Sequence, residues 1–186
     1  MPTPPSIQPA PLPYESLLPL RGREQITQVV IHCTELPDLA TAREYGERVL
    51  YASGTGNSGH YYIDRDGRIE QYLALERVAH HVRGHNAHSL GIELVNRGRY
   101  PHWLDSRHQQ MIETYPEAQL LALESLLQWL RAQLPALTDI AGHDALDTSL
   151  EAASDDPSRQ VRRKLDPGPQ FPWPRIRAAF DAAARR

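Results

Sequence analysis

Three residues far apart in the chain have side-chain types and settings that suit a metal ion. His32 ends the apolar run 29–31, His143 ends the segment 139–142, and Asp166 lies directly before a proline. A side chain at the end of a strand is held rigidly, and a residue before proline is restricted to extended backbone. Two imidazoles and one carboxylate leave a zinc ion one open coordination position, which is typical of hydrolytic rather than structural sites. These residues predict a Zn²⁺ site with hydrolytic chemistry.

The residues alone also leave simpler interpretations open. Residues 164–169 could form a structural turn, and Lys164 is one of three consecutive basic residues. Glu93 could be a strand carboxylate that faces solvent. Local zinc motifs such as His-Glu-x-x-His or paired cysteines are absent, so any metal site must be assembled from distant segments. Four other aspartates compete with Asp166 for the role of ligand: Asp144, Asp147, Asp155 and Asp156.

Strand and helix patterns alternate along the chain. Leucines that recur every three or four residues predict a helix over 116–134, and an Asp-Gly turn between alternating segments predicts a hairpin over 60–73. Interleaved strands and helices favour an α/β fold with a central mixed β-sheet flanked by helices. The other predicted elements are strands over 28–33, 89–95 and 139–143, a helix from Asp38 to about residue 53, and a helix over 174–185.

The length of 186 residues predicts one catalytic domain, over residues 21–186, preceded by an arm. The arm, residues 1–20, is rich in proline and is predicted to be extended and to hold no core element. Residues 144–163 are long and polar, which predicts an insertion without regular structure, either a functional loop or a mobile segment. The lone cysteine, Cys33, should face the core, because neighbours on a strand point to opposite faces and His32 faces the site.

Composition limits the kinds of binding partner and the cellular compartment that can be expected for this protein. A net charge of -3 with 23% charged residues argues against a nucleic-acid partner. No stretch approaches the roughly 20 apolar residues of a membrane span, and residues 1–13 lack the basic start and apolar block of a secretory signal. The sequence therefore predicts a cytoplasmic protein without a membrane span, and it contains no feature that indicates an obligate protein partner.

Four motifs, in order, carry a resemblance to a known family over about residues 27–180. The chain resembles the AmpD-type N-acetylmuramoyl-L-alanine amidases, which are relatives of the peptidoglycan recognition proteins and imply the fold of that superfamily. One such motif alone is weakly specific, whereas four in the family's order are strongly specific. The motifs are Val-Val-Ile-His-Cys-Thr (29–34), Ser-Leu-Gly-Ile-Glu-Leu-Val-Asn-Arg-Gly (89–98), Ala-Gly-His-Asp (141–144) and Lys-Leu-Asp-Pro-Gly-Pro-Gln-Phe-Pro-Trp (164–173).

The resemblance implies a role for each matched residue. His32, His143 and Asp166 match the family's zinc ligands, Glu93 its catalytic glutamate and Lys164 its catalytic lysine. Glutamate would carry a proton from water to the leaving amine, and lysine would stabilise charge on the carbonyl oxygen. The gap between the last two ligands, 23 positions, is longer than the family's usual one. Asp166 therefore holds its predicted role by motif context rather than by spacing.

Substrate contacts are predicted at His60, His81 and Arg97. The two histidines lie where family members often carry histidines, and each could equally be a core residue. Arg97 could contact a carboxylate of a peptide substrate. The implied substrate is a muropeptide or peptidoglycan, cleaved between N-acetylmuramic acid and L-alanine.

The expected function is a zinc amidase of cell-wall recycling, with the 1,6-anhydro muropeptide as one candidate substrate. Two alternatives remain, an endolysin-like amidase acting on polymeric wall and a non-catalytic module that only binds muropeptide.

Overall fold

A computed structural model describes residues 4–183, and a six-stranded mixed sheet forms its centre. The strands of this sheet run in the order β1-β4-β3-β5-β2-β6, and β7 and β8 form a separate hairpin. The strands are β1 (Ile7–Pro9), β2 (Gln28–Cys33), β3 (Tyr61–Ile63), β4 (Ile69–Gln71), β5 (Ser89–Leu94), β6 (Asp139–Gly142), β7 (Leu150–Ala152) and β8 (Gln160–Arg162). The helices are α1 (Leu39–Gly46), α2 (Glu117–Gln133), α3 (His143–Leu146) and α4 (Trp173–Ala183).

Four neighbouring strands, β3, β5, β2 and β6, are mutually parallel, whereas β4 pairs antiparallel with β3. The predicted α/β fold with a central mixed sheet is therefore confirmed. Parallel pairing brings the carboxyl ends of these strands to one edge of the sheet. In register, His32 on β2 lies beside Glu93 on β5, and Glu93 lies beside Tyr62 on β3. This edge therefore gathers polar side chains that are distant in sequence.

The two faces of the sheet bury different cores. The predicted leucine face of α2 is buried, with Leu123, Leu127 and Leu130 fully enclosed, and α2 packs with α4 over one face. Cys33 belongs to this core, so its predicted position facing the core is confirmed. Side chains alternate along a strand, so His32 points to the opposite side of β2. Among residues 4–183, no helix is both long enough and apolar enough to span a membrane.

The prediction that the arm holds no core element is wrong. Its β1 strand pairs in parallel with β4, and Leu12, Tyr14 and Leu18 are buried in the second core. These side chains share one buried cluster with Leu39 of α1 and Tyr62 of β3, so the arm and α1 together cover this face of the sheet. The division between an arm and a domain at residues 20 and 21 remains a prediction.

Helix α1 begins as predicted and ends earlier than predicted. The side chain of Asp38 accepts a hydrogen bond from the backbone N–H of Thr41, which is the expected N-cap. The helix ends at Gly46 instead of near residue 53. The Tyr14 hydroxyl donates to the Gly46 carbonyl at 2.6 Å and so satisfies a carbonyl that the helix end leaves free.

The prediction that residues 144–163 lack regular structure is also wrong. They contain most of α3 and the antiparallel hairpin of β7 and β8. All three residues of β7 are exposed, so no alternating apolar pattern marks the strand in the sequence. Polar side chains stabilise the turns on either side of β7. The Asp147 carboxylate accepts a hydrogen bond from the backbone N–H of Ser149, and the Asp156 carboxylate accepts one from that of Ser158.

Candidate metal centre

Three predicted ligands, His32, His143 and Asp166, converge at the carboxyl edge of the sheet. The Nδ1 atoms of His32 and His143 lie 3.0 and 3.2 Å from the same oxygen, Asp166 Oδ2. All three side chains are buried. The prediction that His143 closes a strand is wrong, because β6 ends at Gly142 and His143 starts α3. Its ring nevertheless packs edge-on against that of His32, with centroids 4.6 Å apart.

The spacing of these atoms fits a zinc ion. Bonds of about 2.0–2.1 Å at tetrahedral angles place neighbouring ligand atoms roughly 3.3 Å apart. The three ligand atoms lie within 4.8 Å of one another. Two of their separations, 3.0 and 3.2 Å, are close to the spacing in a tetrahedral zinc site. Within residues 4–183, Asp166 Oδ1 and His143 Nε2 are buried without a hydrogen-bond partner. Two imidazoles and a carboxylate therefore form a donor set that suits a small divalent cation.

The protonation states of the cluster suit metal binding as well. Burial lowers the pKa of His32 to about 4, with the hydrogen bond to Asp166 opposing the shift, so the imidazole is neutral near pH 7. Burial opposes ionisation of Asp166, but hydrogen bonds from His143 and His32 hold its pKa well below the usual range. Neutral imidazole and ionised carboxylate are the forms that bind metals.

The four competing aspartates do not join the cluster. Asp147 forms an ion pair with Arg163, and Asp155 accepts from the backbone and hydroxyl of Ser106. Asp144 and Asp156 accept hydrogen bonds from nearby backbone N–H groups.

An open cavity of about 580 Å³ leads to the cluster, and its walls include Glu93, Lys164 and His81. The Glu93 carboxylate lies 4.0 Å from His32 Nδ1. Burial raises the pKa of Glu93 to about 8, the Asp166 charge adds to the shift and Lys164 opposes it. A carboxyl group that titrates near neutral pH can both accept and return a proton, which is the property of a general acid–base residue.

His60 does not reach this cavity, and the prediction that it contacts substrate is wrong. Its ring is fully buried on the core side of the loop before β3. Nδ1 accepts from the backbone N–H of Gly91 at 3.1 Å, and Nε2 lies 2.9 Å from the Arg77 carbonyl. An imidazole with both nitrogens engaged in the core has no free atom for a ligand.

Burial of His60 predicts acid sensitivity. Burial lowers its pKa from 6.5 to about 3, with Arg21 adding to the shift, so the unfolded chain binds more protons than the folded chain between these values. Stability is fully present above pH 6.5 and is lost as pH falls. Between pH 6.5 and pH 5 we expect His60 to contribute a loss of about 2 kcal/mol. Urea unfolding of wild type and His60→Asn at pH 7 and pH 5 measures this difference, and equal pH dependence in both proteins would contradict it.

Arg97, the third predicted substrate contact, is also outside the cavity. Its side chain is exposed and lies over the ring of Tyr100, and its backbone N–H donates to Glu113. A substrate contact at Arg97 therefore remains a prediction, because the side chain is exposed but does not line the cavity.

The cavity wall contains instead a buried arginine that the sequence interpretation missed. Arg99 donates two parallel hydrogen bonds to Glu35, of 2.7 and 2.8 Å. The same guanidinium donates to the carbonyls of Arg162 and Arg163, at 2.9 and 3.2 Å. It thereby ties the end of β8 to the sheet edge directly before Lys164. No local sequence pattern predicts the Arg99–Glu35 pair, because the two residues are 64 positions apart.

Loss of the Arg99 side chain should destabilise the protein strongly. Arg99→Ala leaves the Glu35 carboxylate buried without its partner, which costs about 3–5 kcal/mol in comparable pairs. The exposed neighbour provides the control, and Arg97→Ala should change stability by less than about 0.5 kcal/mol. Urea denaturation of both variants measures the difference. Equal stability of the two variants would show that the pair is not stabilising.

Fold and site together define a mixed α/β protein with a candidate metal centre in an open, polar cavity. The chain belongs to the N-acetylmuramoyl-L-alanine amidase family, whose model matches residues 22–169.

Similar proteins include bacterial amidases and phage endolysins. The 1,6-anhydro-N-acetylmuramyl-L-alanine amidase AmpD of Salmonella typhimurium (strain SL1344) is 33% identical over 130 residues, which cover 65% of this chain and 56% of that protein. The chain thus spans only about half the length of this curated relative. The endolysin of Klebsiella phage KP32 is 29% identical over 124 residues, covering 66% of this chain and 78% of the endolysin.

A solved relative has the same fold with a ligand bound. The crystal structure of AmpDh3 from Pseudomonas aeruginosa in complex with anhydromuramic pentapeptide superimposes with a TM-score of 0.60 at 25% identity. The match covers 83% of this chain and 60% of that chain.

Proposed function

We propose that this chain is a zinc-dependent amidase that hydrolyses the bond between N-acetylmuramic acid and the L-alanine of a peptidoglycan stem peptide. The observation that carries the proposal is the convergence of His32, His143 and Asp166 beside Glu93 and Lys164 in one cavity. A module that only binds muropeptide would need neither Glu93 nor Lys164 beside a complete set of metal ligands. The catalytic interpretation is therefore favoured over the binding module.

Each residue has a separate task in this proposal. His32, His143 and Asp166 would hold Zn²⁺, which when bound lowers the pKa of water to roughly 7 and polarises the substrate carbonyl. Glu93 accepts the proton of the attacking water and returns it to the L-alanine amine as the amide C–N bond breaks. Lys164 supplies a fixed positive charge for the negative charge that develops on the carbonyl oxygen.

The cavity suits a ligand that is part sugar and part peptide. Its walls combine aromatic side chains, Tyr51 and Trp103, with polar ones such as Asn57 and the guanidinium of Arg83. The bacterial relative is named for the 1,6-anhydro substrate, and the solved relative is described with an anhydromuramic pentapeptide. These names support a soluble 1,6-anhydro muropeptide as substrate, and a substrate of this kind fits the proposed role in cytoplasmic cell-wall recycling.

An endolysin-like activity on polymeric wall is the second candidate. The phage relative favours this candidate, because the match covers 78% of the endolysin and only 56% of the bacterial amidase. The two candidates differ in the physical form of the substrate and share the same bond and the same cavity.

The deciding experiment offers both substrates to the purified protein. We expect about one zinc per chain and release of L-alanine-led peptides from soluble anhydromuropeptides, detected by mass spectrometry. Turbidity of intact sacculi should change little. Removal of zinc by a chelator should stop the reaction, and re-addition should restore it. Activity that survives complete zinc removal would overturn the metal mechanism, and rapid clearing of sacculi would favour the endolysin.

A further inference from the structure

A chain of hydrogen bonds leads from His32 away from the candidate metal centre. His32 Nε2 lies 2.9 Å from His81 Nδ1, and His81 Nε2 lies 3.1 Å from the hydroxyl oxygen of Ser89. That hydroxyl lies 2.8 Å from the backbone carbonyl of His85. Three side chains from three segments therefore form one continuous series that begins at the opposite ring edge from the ligand atom of His32.

The carbonyl at the far end gives this series a direction. A carbonyl can only accept, so the Ser89 hydroxyl donates its single proton to His85. The hydroxyl oxygen then accepts from His81 Nε2–H, which leaves His81 Nδ1 without a proton and able to accept from His32 Nε2–H. At the other end of the series, His32 Nδ1 lies 3.0 Å from Asp166 Oδ2, so a cation bound between these two atoms would leave Nδ1 without a proton. The opposite direction would leave two oxygen lone pairs facing each other at 2.8 Å between Ser89 and His85.

The backbone around His81 is built to hold its ring in this position. The Asn86 side-chain oxygen accepts from the backbone N–H groups of His81 and Val82, at 3.0 and 2.8 Å. Across the ring lies Gly91, where an added Cβ would come within 2.7 Å of His81 Nδ1. The glycine leaves the space that the imidazole fills, and Asn86 fixes the segment that carries it.

We propose that His81 is a positioning residue, which fixes the ring orientation and the tautomer of His32 so that the unprotonated Nδ1 faces the metal. This inference rests on the proposed zinc site. It also revises the predicted substrate role of His81, since both of its ring nitrogens are engaged in the series. His143 differs from His32 here, because its Nε2 has no partner among the described residues. His32 is thus the ligand whose geometry the surrounding protein sets.

The test compares two replacements of His81. His81→Phe keeps a ring and removes the acceptor, and we expect zinc affinity, measured by competition with a chromophoric chelator, to fall about 10–100-fold. His81→Asn keeps an acceptor oxygen near the Nδ1 position and should recover most of that loss. His88→Ala removes a histidine of the same segment that lies outside the series and should bind zinc like wild type. Nitrogen NMR of the zinc-loaded wild type should show His32 protonated at Nε2.

The outcomes separate this inference from the proposed function. Normal affinity of His81→Phe, or equal losses in the Phe and Asn variants, would overturn the positioning role while leaving the zinc site intact. A His32 ring without a proton on Nε2 in the zinc-loaded wild type would overturn it as well. A wild-type chain without affinity for zinc would overturn the proposed function and this inference together.

Discussion

Replacing Asp166 by alanine should abolish tight zinc binding and reduce amide hydrolysis by more than about 10³-fold. Asp166 Oδ2 is the one atom that lies beside both histidine nitrogens, at 3.0 and 3.2 Å. Without it, two neutral imidazoles remain, and the positive charge of the ion is no longer compensated in a buried site. The loss of affinity should exceed the roughly 10–100-fold that removal of an outer hydrogen-bond partner costs. Chelator competition and mass-spectrometric detection of released peptide measure the two effects.

Asp144→Ala is the matched control for this prediction. Asp144 directly follows His143 and competes with Asp166 as a ligand in the sequence, but its carboxylate accepts from the backbone N–H of Ala145. Its replacement should leave zinc affinity within a few-fold of wild type. Retained zinc affinity in Asp166→Ala together with lost affinity in Asp144→Ala would show that Asp144, and not Asp166, is the third ligand.

The parts of the fold that could be predicted are those with a local cause. The helix α2 follows from leucines on one face, and β2 follows from an uninterrupted apolar run. His32 and Glu93 lie in strands that the sequence predicts, and parallel pairing of these strands brings the two residues into register. Asp166 could be predicted as a ligand because the motif Lys-x-Asp-Pro-Gly-Pro, which is local in sequence, surrounds it.

The errors at the site have a non-local cause. His60 lies in the core because Arg77 and Gly91, from two other segments, surround its ring. Arg97 and Arg99 are two positions apart and chemically identical, yet one is exposed and the other pairs with Glu35 across 64 positions. Burial of this kind depends on the final packing, so one sequence does not reveal which arginine turns inward.

The errors in secondary structure have a related origin. The β7 and β8 hairpin has an exposed strand, so the apolar alternation that marks buried strands is missing. The arm joins the core because β4 offers an unpaired edge and the sheet an uncovered apolar face. Both features depend on a partner surface that exists only after the sheet has formed.

Replacing Glu93 by glutamine should reduce kcat by about 10²–10⁴-fold, the usual contribution of a general base. Glutamine keeps the size of the side chain but cannot accept a proton. The residue lies between His32 and Tyr62 in the sheet register, so its position is set by backbone pairing rather than by its charge. Zinc content should therefore stay near that of wild type, and KM should change little, since the loss lies in the chemical step.

Glu70→Gln provides a control with matched geometry. Glu70 is also a strand glutamate opposite Tyr62, on the β4 side, where it lies outside the cavity walls. Its replacement should leave kcat and zinc content unchanged, because a carboxylate acts as a base only within reach of the reacting water. Steady-state kinetics on the muropeptide and metal analysis of all three proteins distinguish the possibilities. Full activity in Glu93→Gln would exclude Glu93 as the base, and loss of zinc there would make it a residue that supports the metal.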